Sequence, residues 1–269
     1  MRAAAWATLA LSVLLPLGVA RLAAKDARAD SPSAAPTGST KAAPSASATA
    51  SAAASGKSWS DAEGFPAVSS ADPMWGSRVA PVTLVVFSDV ECRFCAGLDS
   101  TIEELKKQYG PSKLRVIFKH HPLDFHKGAK PAAVAAATVH RLGGSAAFFQ
   151  FLQLAFGDQK NLTAAHFNAW AKQVGVDLTK VTKAEVALAE KKVDADLAEG
   201  KKVGVTGTPA TYVNGSLLRG AQKAEAFAKV IDEELLKAAK LKGVAPDKVY
   251  VRLSKEAKRR ADAEKAKQP

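Results

Sequence analysis

The only two cysteines of this 269-residue chain stand three apart in Cys92-Arg93-Phe94-Cys95, at the junction between the apolar run Val82-Thr83-Leu84-Val85-Val86-Phe87 and a helix-like segment. A Cys-x-x-Cys pair between a strand and a helix can pass two electrons by opening and closing one disulfide. Where such a pair opens a helix, the first sulfur meets the unpaired N–H groups of the first turn and the positive end of the helix dipole. That placement lowers a thiol pKa from ~8.5 to between ~3.5 and ~7.5. Cys92 is therefore the expected nucleophile, and Cys95, one turn on and more buried, the resolving thiol. Arg93 is expected to add a cation beside Cys92, lowering its pKa further and biasing the pair towards oxidant behaviour. Phe94 offers apolar surface to an unfolded substrate.

Two other uses of the pair are weaker. A closed zinc site needs four ligands, and no second cysteine pair exists; the five histidines are scattered, with only His121 and His126 at a suitable spacing. A purely structural bridge over so small a loop would constrain the unfolded chain little. No metal and no separate cofactor are expected beyond the redox-active disulfide.

A second signal lies more than a hundred residues on. Gly204-Val205-Thr206-Gly207-Thr208-Pro209-Ala210-Thr211-Tyr212-Val213-Asn214-Gly215 reads as a loop, a strand and a hairpin turn. With the cysteine pair, this stretch resembles the DsbA-like branch of the thioredoxin-fold superfamily, from about Asp72 to about Lys240. Val82 to Phe87 matches the first central strand, and Leu114 to Lys119, followed by His120-His121-Pro122-Leu123, matches the second strand and its loop. The resemblance implies that Thr208-Pro209 is the cis-proline loop, lying against the disulfide and binding substrate backbone. The chain departs from the family at Arg93, where proline or glycine is common. It departs again at Val86, where many relatives keep a buried acid six residues before the first cysteine. Glu91 or Asp89 could assist proton transfer instead; both read equally as loop carboxylates.

The expected fold is α/β: a DsbA-like thioredoxin fold over residues 73–240 with a helical insertion at about 129–202. Helical spacing runs over Lys130 to Leu142, Ala146 to Phe156, Thr163 to Val174 and Lys183 to Lys202, with Pro131 in a first turn and Thr163 at a cap position. Strands at Thr211 to Val213 and Ser216 to Leu218 and a helix from Ala221 to Lys240 complete it.

The flanks place the chemistry. Met1-Arg2 precedes an apolar stretch from Ala3 to Ala20, so residues 1–24 read as a secretory signal or an N-terminal membrane anchor. Residues 25–72, rich in Ala, Ser and Pro, read as a disordered linker. Residues 241–269 form a basic tail: from Lys237 on, 11 basic and 4 acidic residues supply most of the net charge of +12. Such a run reads as a solvated helix or tail, with contact to an anionic membrane face as its functional alternative; no nucleic-acid motif accompanies it.

These readings converge on an exported thiol:disulfide oxidoreductase of the periplasm or cell envelope, most plainly an oxidant of secreted proteins with unfolded clients and a membrane redox partner that resets the dithiol. A reductase or isomerase of the same compartment, and a non-catalytic tethered module that binds peptide or metal, remain open alternatives.

Overall fold

Strands β4 (Val82–Ser88) and β5 (Leu114–His120) are buried along their whole length and pair in parallel, Val82 against Leu114 through Ser88 against His120. Parallel strands need a crossover, and helix α1 (Arg93–Tyr109) supplies it. Around this unit the sheet order is β3-β5-β4-β6-β7, with β3 (Met74–Trp75), β6 (Ala210–Val213) and β7 (Ser216–Arg219) all antiparallel to their neighbours. The computed structural model describes residues 58–267. The expected signal or anchor and most of the expected linker lie outside them. Among the described residues no helix is long and apolar enough to cross a membrane.

Alternation along β4 divides the core. Val82, Leu84 and Val86 face α1 and the helix α5 (Ala224–Lys240), packing with Leu98, Ile102, Leu105, Phe227 and Ile231. Val85 and Phe87 face the other side, with Ile117, Val203, Tyr212 and Tyr250. Burial on both faces is why both strands are rich in branched apolar residues.

The helical insertion follows β5, as the sequence pattern predicts. Helix α2 (Ala129–Gly157) covers the two expected segments as one run broken at Gly144, whose φ of 74° and ψ of −175° are open to glycine. Helix α3 (Ala164–Gln173) starts on Thr163, whose hydroxyl accepts from the His166 N–H. Helix α4 (Lys183–Val203) opens with a capping box between Thr182 and Glu185 and stops at Gly204 in the left-handed region. Phe148, Phe151, Leu152, Phe167 and Trp170 make a core of their own that reaches Phe118 and Val90, beside the cysteine turn.

The linker boundary needs correction. Residues 58–72 belong to the folded body and include strands β1 (Ser60–Asp61) and β2 (Val68–Ser69). The reason is charge. Arg115 of β5 is fully buried and donates to Thr83 Oγ1 at 3.0 Å, the Arg78 carbonyl at 3.0 Å and Asp61 Oδ2 at 3.4 Å. Two residues beyond Ile117 on the same face, Lys119 pairs with Asp72 at 2.7 Å and Asp196 at 3.3 Å, and Lys192 closes the cluster. Buried cations require such partners, so the segment before β3 is drawn into the body.

The basic C-terminal segment forms helix α6 (Val249–Lys265), whose charged face is solvated as expected while Tyr250, Leu253, Ser254 and Ala257 are buried. The Tyr250 hydroxyl donates to the Pro66 carbonyl at 2.5 Å, its ring lies under the Arg115 guanidinium, and the Phe65 N–H donates to Ser254 Oγ. A Cβ on Gly215 would come within 2.7 Å of the Ser254 backbone, so glycine lets α6 close on the β6–β7 hairpin. Replacing Tyr250 by Ala is expected to cost about 3–5 kcal/mol by analogy with other buried aromatics, read from the urea midpoint. A wild-type midpoint would show that α6 is not part of the core.

Candidate active site

The end of β4, the turn Asp89–Glu91 and the first turn of α1 hold both sulfurs. Cys92 is the N-cap of α1, with extended φ/ψ, which sets its sulfur beside the N–H groups of the first turn. Cys92 is 5% exposed and Cys95 1%, and both are free thiols. Cys92 is thus more enclosed than an open nucleophile would be, yet it retains more surface than Cys95.

Enclosure does not protonate it. The Cys92 pKa is lowered to about 5, first by the hydrogen bond from Cys95, with burial opposing and the Cys95 N–H, Thr208 and the Phe94 N–H adding to the lowering. Cys95 is pushed far up, by burial first and then by its bond to Cys92. One sulfur is ionised at neutral pH; the other keeps its proton.

The Thr208–Pro209 peptide is cis and abuts the pair: Cys92 Sγ lies 3.6 Å from the Thr208 carbonyl oxygen, to which it donates only when protonated. The Thr208 hydroxyl is buried without a hydrogen-bond partner among the described residues, and a thiolate is an acceptor it can serve. The loop arrives because Tyr212, one residue into β6 past Thr211, bonds the Val203 carbonyl and because Asn214 clamps the hairpin to Thr83 and Pro81.

Arg93 and Phe94 stand on the surface beside Cys92, with the Arg93 guanidinium 4.8 Å from the centre of the Phe94 ring. Phe94 is 54% exposed. The charge of Arg93 is not among the leading causes of the Cys92 shift, which are hydrogen bonds. That expectation of the sequence is corrected: the guanidinium is spent on the aromatic face.

Asp89 and Glu91 both act as struts. The Asp89 N–H donates to Cys95 Sγ at 3.4 Å, and its carboxylate accepts from the Glu91 N–H, the Leu123 N–H and His126 Nδ1 at 2.8, 2.9 and 2.7 Å. Glu91 Oε2 accepts from the Gly128 N–H at 2.6 Å, tying the cysteine turn to the start of α2.

Three groups escaped the sequence reading. Gln159, in a short turn after α2, donates to the carbonyls of Val90 and Cys92 at 2.6 and 3.0 Å. His126 sits on Asp89. Asp99, one turn past Cys95, lines a small cavity with Cys95, Ser88 and Val86, and burial raises its pKa to about 6. Only Asp99 had a sequence signal, its i+4 spacing from Cys95. No group of three or more His, Cys, Asp or Glu side chains that could hold a metal ion occurs among the described residues.

The thioredoxin family matches residues 69–233, which takes in both cysteines and the cis-proline loop. This chain belongs to the thioredoxin family. It is similar to the Na(+)/H(+) antiporter NhaA 1 of Salinispora arenicola, 30% identical over 173 residues, covering 62% of this chain and 25% of that protein. The chain spans about a quarter of the length of the curated relatives it matches. Among solved structures it is similar to the catalytic domain of Proteus mirabilis ScsC, with a TM-score of 0.55 at 26% identity, covering 62% of this chain and 90% of that one. A periplasmic thioredoxin-like protein of Salmonella enterica serovar Typhimurium gives 0.53 at 26% identity, covering 62% and 91%. The thioredoxin core with an inserted helical subdomain, α2 to α4, is the architecture these neighbours share.

Alkylation of Cys92 is expected to rise with pH through about 5 and to be at plateau by neutrality, since only the thiolate reacts. In Cys95→Ala the leading donor is lost, and the midpoint should move up towards the ordinary thiol range, ~8.5. An unchanged midpoint would refute the hydrogen-bond origin of the shift.

Proposed function

We propose that this thioredoxin-family chain is an exported thiol:disulfide oxidoreductase that exchanges the Cys92–Cys95 disulfide with client cysteines, working as an oxidant in disulfide formation. The observation that carries the reading is the asymmetry of the pair, an ionised Cys92 in front of a sealed, protonated Cys95. A client thiolate attacks Cys92, breaking the Cys92–Cys95 bond and forming a mixed disulfide. A second client thiolate attacks the client sulfur of that bond and expels Cys92 as a thiolate, so the client leaves oxidised and the enzyme reduced. A leaving thiol of low pKa departs quickly, and a stabilised thiolate favours the reduced enzyme; both favour oxidation of clients.

Thr208 and Pro209 take the client backbone beside Cys92, and the exposed Phe94 and Arg93 give its side chains an apolar and cationic rim. Clients are unfolded or partly folded exported proteins, and a membrane redox partner withdraws the two electrons and restores the disulfide. The periplasm or cell envelope is the compartment, supported by likeness to a periplasmic protein and by the leader-like residues 1–24. Asp89 and Glu91 hold the turn through the N–H groups they accept from.

The Cys95→Ser variant is expected to accumulate reducible covalent adducts with envelope proteins through Cys92, whereas Cys92→Ser forms none. Absence of adducts from Cys95→Ser, together with failure of the wild-type pair to equilibrate with glutathione, would overturn the assignment.

A further inference from the structure

The charge of this chain is unevenly placed. Residues 58–236, which hold the sheet and the inserted helices, carry 21 basic and 20 acidic side chains and are close to neutral. Residues 237–267 carry 11 and 4. The excess gathers on the end of α5 and on α6.

Helix α6 is held to the body by Tyr250, Leu253, Ser254 and Ala257, and Ala257 is its last buried residue. The helix then runs on from Lys258 to Lys265, roughly 12 Å at the usual rise, with every residue exposed. The packing of the body does not require those two turns. Their only uncharged residues are Ala261 and Ala263, so they have no apolar face to bury and no aromatic anchor of the kind that carries a protein–protein contact. What they present is charge. Lys258, Arg259, Arg260 and Lys265 stand against Asp262 and Glu264, and Lys267 follows. Lys258 pairs with Asp262, as Arg252 does with Glu256 and Lys255 with Glu63, whereas among the described residues Arg259, Arg260 and Lys265 are in no ion pair. Exposed pairs bind weakly, and the field of the segment stays positive.

We propose that the end of α6 is a docking surface for an anionic lipid bilayer, on which Arg259, Arg260 and Lys265 hold the enzyme by charge. A surface without apolar anchors suits a partner that is itself defined by charge density, and a fluid sheet of anionic headgroups is such a partner. An acidic protein would ask for the central apolar contacts that these turns lack. The compartment rests on the exported reading above, in which the leader-like residues 1–24 bring the chain to a membrane. Each cation near an anionic bilayer strengthens binding roughly fivefold, and the attraction fades within a screening length of ~8 Å at physiological salt. The contact is therefore reversible and sensitive to salt.

The test is sedimentation of the full chain with vesicles of phosphatidylglycerol mixed with phosphatidylcholine, or of phosphatidylcholine alone. Wild type is expected to bind the anionic vesicles roughly tenfold or more tightly at low salt, with the difference gone at ~1 M salt, where the screening length is ~3 Å. Arg259→Gln, Arg260→Gln and Lys265→Gln together should weaken binding to the anionic vesicles on the order of a hundredfold and leave the urea midpoint and Cys92 alkylation unchanged. Equal binding by wild type and the triple variant would overturn the proposal. Where the apolar stretch from Ala3 to Ala20 holds the chain on every vesicle, trypsin reads the surface directly: cleavage after Arg259 and Arg260 should slow on anionic vesicles only, and equal cleavage on both kinds would overturn it. Retention by poly-glutamate or by DNA at a salt concentration that releases the vesicles would also overturn it, in favour of an acidic protein or a nucleic acid. Recovery of the native chain in the cytosolic fraction of cells would instead strike the export reading.

Discussion

A thiolate survives in a nearly closed site only if donors already fixed in place receive its charge, and this constraint organises the region around Cys92. Among the described residues no buried cation is a leading cause of the Cys92 shift. The lowered pKa comes from the Cys95 thiol, two backbone N–H groups of the first turn of α1 and Thr208, against the cost of burial. Fixed dipoles of this kind cost no reorganisation when the charge appears. The structural requirement is that α1 begin one residue after Cys92, so that its first-turn N–H groups lie beside the sulfur.

That start is enforced from three directions. The Glu91 carboxylate ties the turn to the head of α2, Gln159 ties its carbonyls to the far end of the same helix, and Asp89 ties it to the loop after β5. The inserted helices are therefore more than a lid on the sheet. Their aromatic core packs directly behind Val90 and Phe118, so the cysteine turn rests on a rigid base.

The opposite face of the sheet solves a different problem. Arg115 and Lys119 alternate with Ile117 on β5 and are buried with Asp61, Asp72, Asp196 and Lys192. Buried charge of this sort adds little net stability when complete and costs much when broken. Its consequence is topological: the residues before β3 and the helix α6 are recruited to cover it, and Tyr250 lies over Arg115. A sequence pattern reads strand β5 correctly and still misses this, because the partner acids lie in segments whose composition reads as linker or whose spacing reads only as helix.

The sequence by itself determined the central strands, the helix opened by Cys92, the helical character of residues 129–202 and the proline loop, because each rests on local spacing or on a short motif. It also singled out the two sulfurs and their order of burial. What only the tertiary structure decided was the source of the low Cys92 pKa, the idling of Arg93 on Phe94, and the convergence of Asp89, His126, Gln159 and Thr208 on one turn. Those residues come together across separations of 37, 67 and 116 positions. Periodicity reports which face of an element is apolar; it carries no record of which distant loop will supply the polar atoms that a buried charge requires.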